Sequence, residues 1–308
     1  MLSETRLRYL YESARLGTMR AASEHLDVAA SSVSRQISEL EKELGITLFE
    51  RGRQGVSLTE AGRTVFEFYR ERAAHEEAFM SRISDLRSVR TGNIILGLGE
   101  AFVTDEFSDL LRRYMKQYDG LKVHVRMGGS NSVVAMVRND EAHFGLMFDI
   151  PRDPRVRART SLPQPLHFVV QAGHPLASTE RPGLTELGRY RVALPESSFR
   201  IRQIVQRAEQ ESGEFLEPAL ITNSMTLLKD FVKSGRGVTV LPPLLTEPER
   251  SQGRLVAVPT GNAVLNDTQI TLVTRVGRQL PVGVYRLMVR IESFLRKNFG
   301  AVPLDSPD

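Results

Sequence analysis

Ser31, Ser32, Ser34, Arg35 and Gln36 stand within one six-residue run, directly behind Ala30. Short hydroxyls, one guanidinium fork and one carboxamide are side chains that contact phosphate oxygens and guanine edges. To do so they must share one face of a rigid element. Val33, Ile37, Leu40 and Leu44 recur at i, i+4, i+7 and i+11, which predicts a helix with an apolar stripe and leaves the polar run off that stripe. Gly45 supplies a left-handed cap. A shorter helix, Met19 to Leu26, precedes it, with the small pair Ala21 and Ala22 at the approach and Asp27-Val28 as the turn. Thr18 and Arg20, at the start of that helix, are further candidate DNA contacts. Periodicity alone also fits an ordinary helical hairpin with a solvated polar face.

Other chemistries find little support. The chain has no cysteine, hence no disulfide, thiolate metal site or cysteine nucleophile. His25, His75, His124, His143, His167 and His174 are scattered without metal-ligand spacing. There is no Gly-x-Ser-x-Gly elbow and no P-loop, and Phe102 stands where a dinucleotide fingerprint after Gly97-Leu98-Gly99 needs glycine. The expectation is therefore no catalytic residue, no metal and no cofactor. The charged start MLSETRLRYL lacks a signal-peptide core, and no apolar run approaches a membrane span, so a cytoplasmic protein is expected. The net charge of +4 does not mark the DNA-contacting segment: residues 1–58 hold eight basic and eight acidic side chains, and residues 59–90 six and six. Any DNA binding must rest on where individual arginines point.

In chain order, Thr5 to Leu16 is predicted helical, with Leu7, Leu10, Tyr11 and Ala14 inward and Gly17 ending it. Thr47–Phe49 and Val56–Leu58 read as short strands flanking a loop in which Arg51 and Arg53 would lie along phosphates or in a minor groove. A solvated hairpin is the alternative. From Thr59 to Arg90 a long helix carries Ala61, Val65, Phe68, Arg72, His75, Phe79, Ile83 and Leu86 as an approximate coiled-coil seam. Standing alone it would expose Phe66, Phe68 and Phe79, which predicts burial against a second copy, with packing on its own C-terminal part as the alternative. Beyond Gly92, strands and helices alternate, predicting mostly parallel sheets covered by helices.

The pattern Ala21-Ala22, Val28, Arg35-Gln36-Ile37, Leu40-Glu41, Leu44-Gly45, Leu48-Phe49, Arg51 and Leu58-Thr59-Glu60-Ala61-Gly62 resembles the N-terminal module of LysR-type transcriptional regulators. Ala29-Ala30-Ser31 departs from the Ser-Gln-Pro or Ser-Gln-Ser of many relatives, so no base preference carries over. The resemblance implies an α+β multidomain chain: an N-terminal winged helix-turn-helix at 1–58, a long linker helix at 59–90 and a C-terminal two-lobed α/β, periplasmic-binding-protein-like effector domain at 91–308. Lobe I would take 91–162 and 268–300 and lobe II 163–267, the chain crossing between them near Ser161–Pro165 and Asn262–Thr268. It further implies a small-molecule effector between the lobes, double-stranded DNA with an interrupted palindrome as target, and a dimer or homotetramer. Candidate effector contacts are Glu100 and Phe102 in the loop after the first strand, Ser130 and Asn131 at a helix start, Ser198, Phe199, Arg200 and Arg202 at another, and Asn223 and Ser224 at a third. Helix N-termini and arginines favour an anionic group there, against which Glu100 would act. Capping and ordinary surface charge explain the same residues equally well. A DNA-binding architectural protein whose C-terminal half only oligomerises is the alternative function.

Overall fold

The structure is a computed structural model and describes residues 2–50, 55–86, 92–99, 102–235 and 237–300, with backbone only at 84–86. It divides into two compact units, Met1–Ile83 with Arg278–Pro281, and Ser84–Gly277 with Val282–Asp308.

The first unit begins with α1 (Glu4–Leu16), α2 (Met19–Leu26) and α3 (Ala30–Leu44). Gly17 and Gly45 close α1 and α3 in the left-handed region, and Asp27 does the same for α2. Leu7, Leu10, Val33, Ile37, Leu40, Leu48 and Phe49 form the core, whereas Leu44, at the end of the expected stripe, is exposed. The wing strands are shorter than expected: β1 (Phe49–Glu50) pairs antiparallel with β2 (Ser57–Leu58). Glu41 explains the loss. Its carboxylate accepts the N–H groups of Leu48 and Phe49 at 2.7 and 3.3 Å, and Val56 donates instead to Gly17. The tip carrying Arg51 and Arg53 lies outside the described residues.

The linker is α4 (Glu60–Leu86), capped by Thr59, whose hydroxyl accepts the Gly62 N–H and donates to the Thr47 carbonyl. A Cβ on Gly62 would stand 2.0 Å from the Leu48 carbonyl oxygen, so only glycine lets the helix start this close to the core. The expected seam divides. Ala61, Val65 and Tyr69 pack on the core of their own module. Phe66, expected to be buried against a second copy, packs there too and stacks on Tyr11 with centroids 4.7 Å apart. Phe68, Phe79 and Met80, in contrast, are at least half exposed.

The second unit holds two five-stranded sheets. Its elements are β3 (Gly92–Leu98), α5 (Asp105–Gln117), β4 (Leu121–Met127), α6 (Ser130–Arg138), β5 (Phe144–Phe148) and β6 (Val156–Pro163). There follow β7 (His167–Gln171), α7 (Leu184–Gly188), β8 (Val192–Pro195), α8 (Arg200–Ser212), β9 (Pro218–Thr222) and α9 (Met225–Lys233). The chain ends with β10 (Val238–Leu241), α10 (Glu247–Ser251), β11 (Leu255–Pro259), α11 (Ala263–Asn266), β12 (Gln269–Arg275) and α12 (Val282–Phe299). Lobe I orders its strands β4-β3-β5-β12-β6 and lobe II β11-β7-β10-β8-β9.

In each sheet four strands run one way and one runs opposite. β12 runs antiparallel to β5 and β6, and β7 antiparallel to β10 and β11. A strand entering a sheet from the other lobe arrives from the opposite end, which local periodicity does not reveal. The sequence pattern does not announce β6, because its run VRARTSLP carries four charged or polar residues where a covered strand would be apolar. Ser161–Pro163 therefore belongs to a strand, and Ala263–Asn266 to a helical turn, rather than to the crossings. The crossings bond to each other: Gln164 N–H to Thr268 O at 2.8 Å, Thr268 Oγ1 to Gln164 O at 2.6 Å and Leu166 N–H to Leu265 O at 2.8 Å.

Candidate DNA-reading helix and interlobe cleft

On α3, burial of Val33, Ile37 and Leu40 turns the opposite face outward, so Ala30, Ser31, Ser34 and Arg35 are exposed and Ser32 and Gln36 half-buried. No side chain caps the helix start, because Ala29 stands there. Gln36 is not a free reader: its carboxamide oxygen accepts from Arg6 Nε at 3.2 Å, and Arg6 also pairs with Glu43 at 2.8 Å. Arg6 thus ties α1 to α3, a role the spacing along α3 could not show. One turn beyond Arg35, Glu39 is held below the usual carboxylate range by its hydrogen bond to Lys42, then by the charges of Lys42, Arg6 and Arg35. An ionised carboxylate there repels phosphate, whereas the N-terminal turn of α3 carries no acidic side chain. Thr18 caps α2, accepting the Ala21 N–H at 3.0 Å, and keeps its own proton to donate. Arg20 pairs with Glu24 at 3.1 Å, an exposed contact that a phosphate readily replaces.

The second constellation lies between the lobes of the second unit. A cleft of about 370 Å³ is lined by Gly99, Met127, Gly128, Gly129, Ser130, Phe148, Phe199, Arg200, Ile201, Met225 and Leu245. Another cavity of about 730 Å³, lined in part by Thr104, Lys229 and Glu247, shares Met127, Met225 and Leu245 with it. The walls are mostly apolar, and the polar groups are few and concentrated: the Ser130 hydroxyl, the first turn of α6 and the Arg200 guanidinium. This is the composition of a small-molecule site. Gly129 is the residue preceding α6, so Ser130 is the first helical residue. Its buried hydroxyl donates to the Phe148 carbonyl, which fixes its oxygen as an acceptor toward the cleft. Gly145 permits this placement: a Cβ there would stand 2.5 Å from Val133, pushing α6 off the sheet.

Arg200 already has an anion. Its Nε and Nη2 both lie 2.7 Å from Asp149 Oδ2, joining the start of α8 in lobe II to the end of β5 in lobe I. Asp149 has φ of 44° and donates its N–H to the Gln269 carbonyl at 2.7 Å. Sequence reasoning missed Asp149 although it stands just past a strand's carboxyl end, where ligands of α/β sheets collect.

Of the expected effector contacts, Ser130, Phe199 and Arg200 are brought together in the cleft, and Glu100 lies outside the described residues. The others are placed elsewhere. Phe102 is 3 % exposed and packs beneath Gly99 as core. Arg202 pairs with Glu209 at 3.0 Å along its own helix, since two residues turn a helix by about 200° and Arg200 and Arg202 cannot face one cleft. Asn131, Ser198 and Asn223 are exposed and off the lining, and Ser224 caps α9 by accepting the Leu227 N–H at 3.3 Å. Met127, Phe148, Ile201, Met225 and Leu245 supply the walls without having been foreseen. Among the described residues no group of His, Asp and Glu is placed to hold a metal ion, and no helix is long and apolar enough to cross a membrane.

The two constellations coincide with two known sequence families. Residues 5–63 match the bacterial regulatory helix-turn-helix protein family of lysR type, and residues 87–294 the LysR substrate binding domain. A RuBisCO operon transcriptional regulator from Allochromatium vinosum is 27% identical over 295 residues, 95% of this chain and 97% of that protein. The regulator SsuR of Burkholderia cenocepacia is 24% identical over 286 residues, 92% of each chain. Among solved structures, a cysteine-substituted full-length OxyR from Pseudomonas aeruginosa has TM-score 0.67 at 19% identity, with 95% of each chain covered. Full-length CbnR complexed with its target DNA has TM-score 0.54 at 18% identity, covering 95% of this chain and 99% of that one. The N-terminal helix-turn-helix and the C-terminal substrate-binding module thus occur in one order over nearly the whole length, and the chain belongs to the LysR family of transcriptional regulators.

Proposed function

We propose that the chain is a sequence-specific DNA-binding regulator of transcription in the cytoplasm, with an activity set by a small anionic effector held between lobes I and II. One observation carries this reading: a largely apolar cleft of about 370 Å³ places a helix start and an arginine opposite each other on separate lobes. A ligand touching both lobes biases their closure by its differential affinity for the open and closed forms. Ser130 and the first turn of α6 take the anionic group, and Arg200 takes it from the facing lobe in exchange for Asp149. DNA is read by Ala30, Ser31, Ser32, Ser34 and Arg35, with Thr18, Arg20, Arg51 and Arg53 on phosphates. The related regulator CbnR has been crystallised with its target DNA, which supports the assignment.

The exposed stripe Phe68, Phe79 and Met80 on α4 supports self-association through the linker as a dimer, two of which form a tetramer. A dimer sets two α3 helices about 34 Å, or a multiple, apart and requires an interrupted palindrome. A purely architectural role gains no support, since the C-terminal residues match a substrate-binding family and enclose a cleft. The test is a footprint of the full chain on DNA upstream of its own gene, with and without candidate carboxylates and phosphates. Protection of two half-sites, altered by one of these compounds, is expected. Absence of protection at moderate salt overturns the DNA reading, and protection that no anion alters overturns the effector reading.

A further inference from the structure

We propose that the effector is an elongated molecule, with its anionic group at Ser130 and Arg200 and an amine at its far end, received by the carboxylates of Glu106 and Glu247. The proposal rests on the effector reading above and names the class of compound that the same cleft takes. It starts from the space available. The cavity lined by Ser130 and Arg200 encloses about 370 Å³, and the second cavity about 730 Å³. Met127, Met225 and Leu245 line both, so the two form one trough with an apolar waist. A compound seated only at Ser130 leaves the larger part of the trough to water. One that passes the waist buries its own apolar chain against two methionines and a leucine.

The two ends of the trough differ in charge. Among the described residues no acidic side chain lines the first cavity, and its charged group is Arg200. Asp105, Glu106 and Glu247 line the second, against one cation, Lys229. That lysine is already committed: its Nζ lies 2.9 Å from Glu249 Oε1, both side chains being largely buried. Glu249 Oε2 is buried without a hydrogen-bond partner. Drawing Lys229 away to meet an anion would strand a buried carboxylate, at a cost that a new pair nearer the solvent does not return. The second cavity therefore disfavours an anion and accepts a cation. Glu106 belongs to the first turn of α5 in lobe I and Glu247 to the first turn of α10 in lobe II. An amine that meets both holds the two lobes, as the anionic group does at the other end. Glu247 now pairs with Arg250 at 2.8 Å, but its side chain is 63% exposed, and such a surface pair is readily exchanged. Carboxylates in a first turn also complement the helix dipole, which explains each one singly. It does not explain why those of facing lobes line one cavity that opens from an arginine-bearing one.

The test titrates the full chain by calorimetry with straight-chain ω-amino carboxylates of increasing length, each beside the alkanoate and the dicarboxylate of the same length. Once the chain is long enough to pass the waist, the amine should bind about three- to fivefold more tightly than its alkanoate, and the dicarboxylate no better than the alkanoate. Glycine, with its two charges on adjacent carbons, should show no such gain over acetate. In Glu106→Gln combined with Glu247→Gln the gain of amine over alkanoate should vanish. It is a ratio taken within one protein, so a general loss of affinity cancels. No gain at any length in wild type, a dicarboxylate that binds as tightly as the amine, or a gain that survives in the variant overturns the proposal. Failure of every carboxylate in the series to bind would instead refute the anion site at Ser130 and Arg200, and the effector reading with it.

Discussion

Replacing Asp149 by Asn should loosen the closure of the two lobes. Asp149 is 15% and Arg200 25% exposed, and two nitrogens meet one carboxylate oxygen at 2.7 Å. Two unit charges about 4 Å apart attract by about 4 kcal/mol at the effective dielectric near a protein surface. Desolvation and side-chain ordering offset most of that, leaving about 1–2 kcal/mol for a half-buried, hydrogen-bonded pair. Asn keeps an acceptor oxygen and the shape while removing the charge. It is also one of the few residues that tolerates a φ of 44° at little cost, whereas Ala would add backbone strain. The open population should therefore rise about 5- to 30-fold relative to the closed one. The absence of cysteine makes the assay direct: Asn131→Cys and Asn223→Cys, both exposed and on different lobes, accept a pair of spin labels. Their distance distribution should broaden toward longer values in Asp149→Asn and likewise in Arg200→Gln, with no further change when both are combined. Identical distributions in all four proteins, or additive effects, would refute the argument that this pair holds the lobes.

Arg35→Ala should weaken binding to the cognate site by about 1–3 kcal/mol and spare unrelated sequences, as read from titrations on both; equal loss on every sequence would make Arg35 a phosphate contact. Phe79→Asp places a charge in the exposed stripe of α4 and should lower the sedimenting mass, and an unchanged coefficient would remove the linker from the self-association surface. His167 has a pKa lowered from 6.5 to about 4, by burial first and the charge of Arg250 second, partly offset by its hydrogen bond to Ala257. The unfolded chain binds more protons between those values, so stability should fall as pH drops from about 6.5 toward 4. His167→Gln should flatten the pH dependence of thermal unfolding in that window, and an unaltered slope would assign it to other groups.

Much of the fold is legible in the sequence because its information is local. The stripe Val33-Ile37-Leu40 and the glycines after α1 and α3 fix the helices there, and the alternation of strands and helices beyond Gly92 is present. Leu44 and the wing strands are where the local reading fails, since Glu41 takes the N–H groups that a strand partner was expected to hold.

By itself the sequence determined the type and order of most elements, β6 and α11 excepted, because helical and strand periods, caps and turns act between residues a few positions apart. It also determined the helix carrying Ser31, Ser34 and Arg35 outward, since burying one stripe exposes the opposite one. Only the tertiary structure decided which polar groups share a cleft. Ser130, Phe199 and Arg200 meet there, Arg202 turns back to Glu209, Phe102 sinks into the core, and Asp149 reaches Arg200 from the other lobe. Those outcomes depend on the packing of elements distant in the chain, where a rotation of one residue about a helix sends a side chain to a different neighbour.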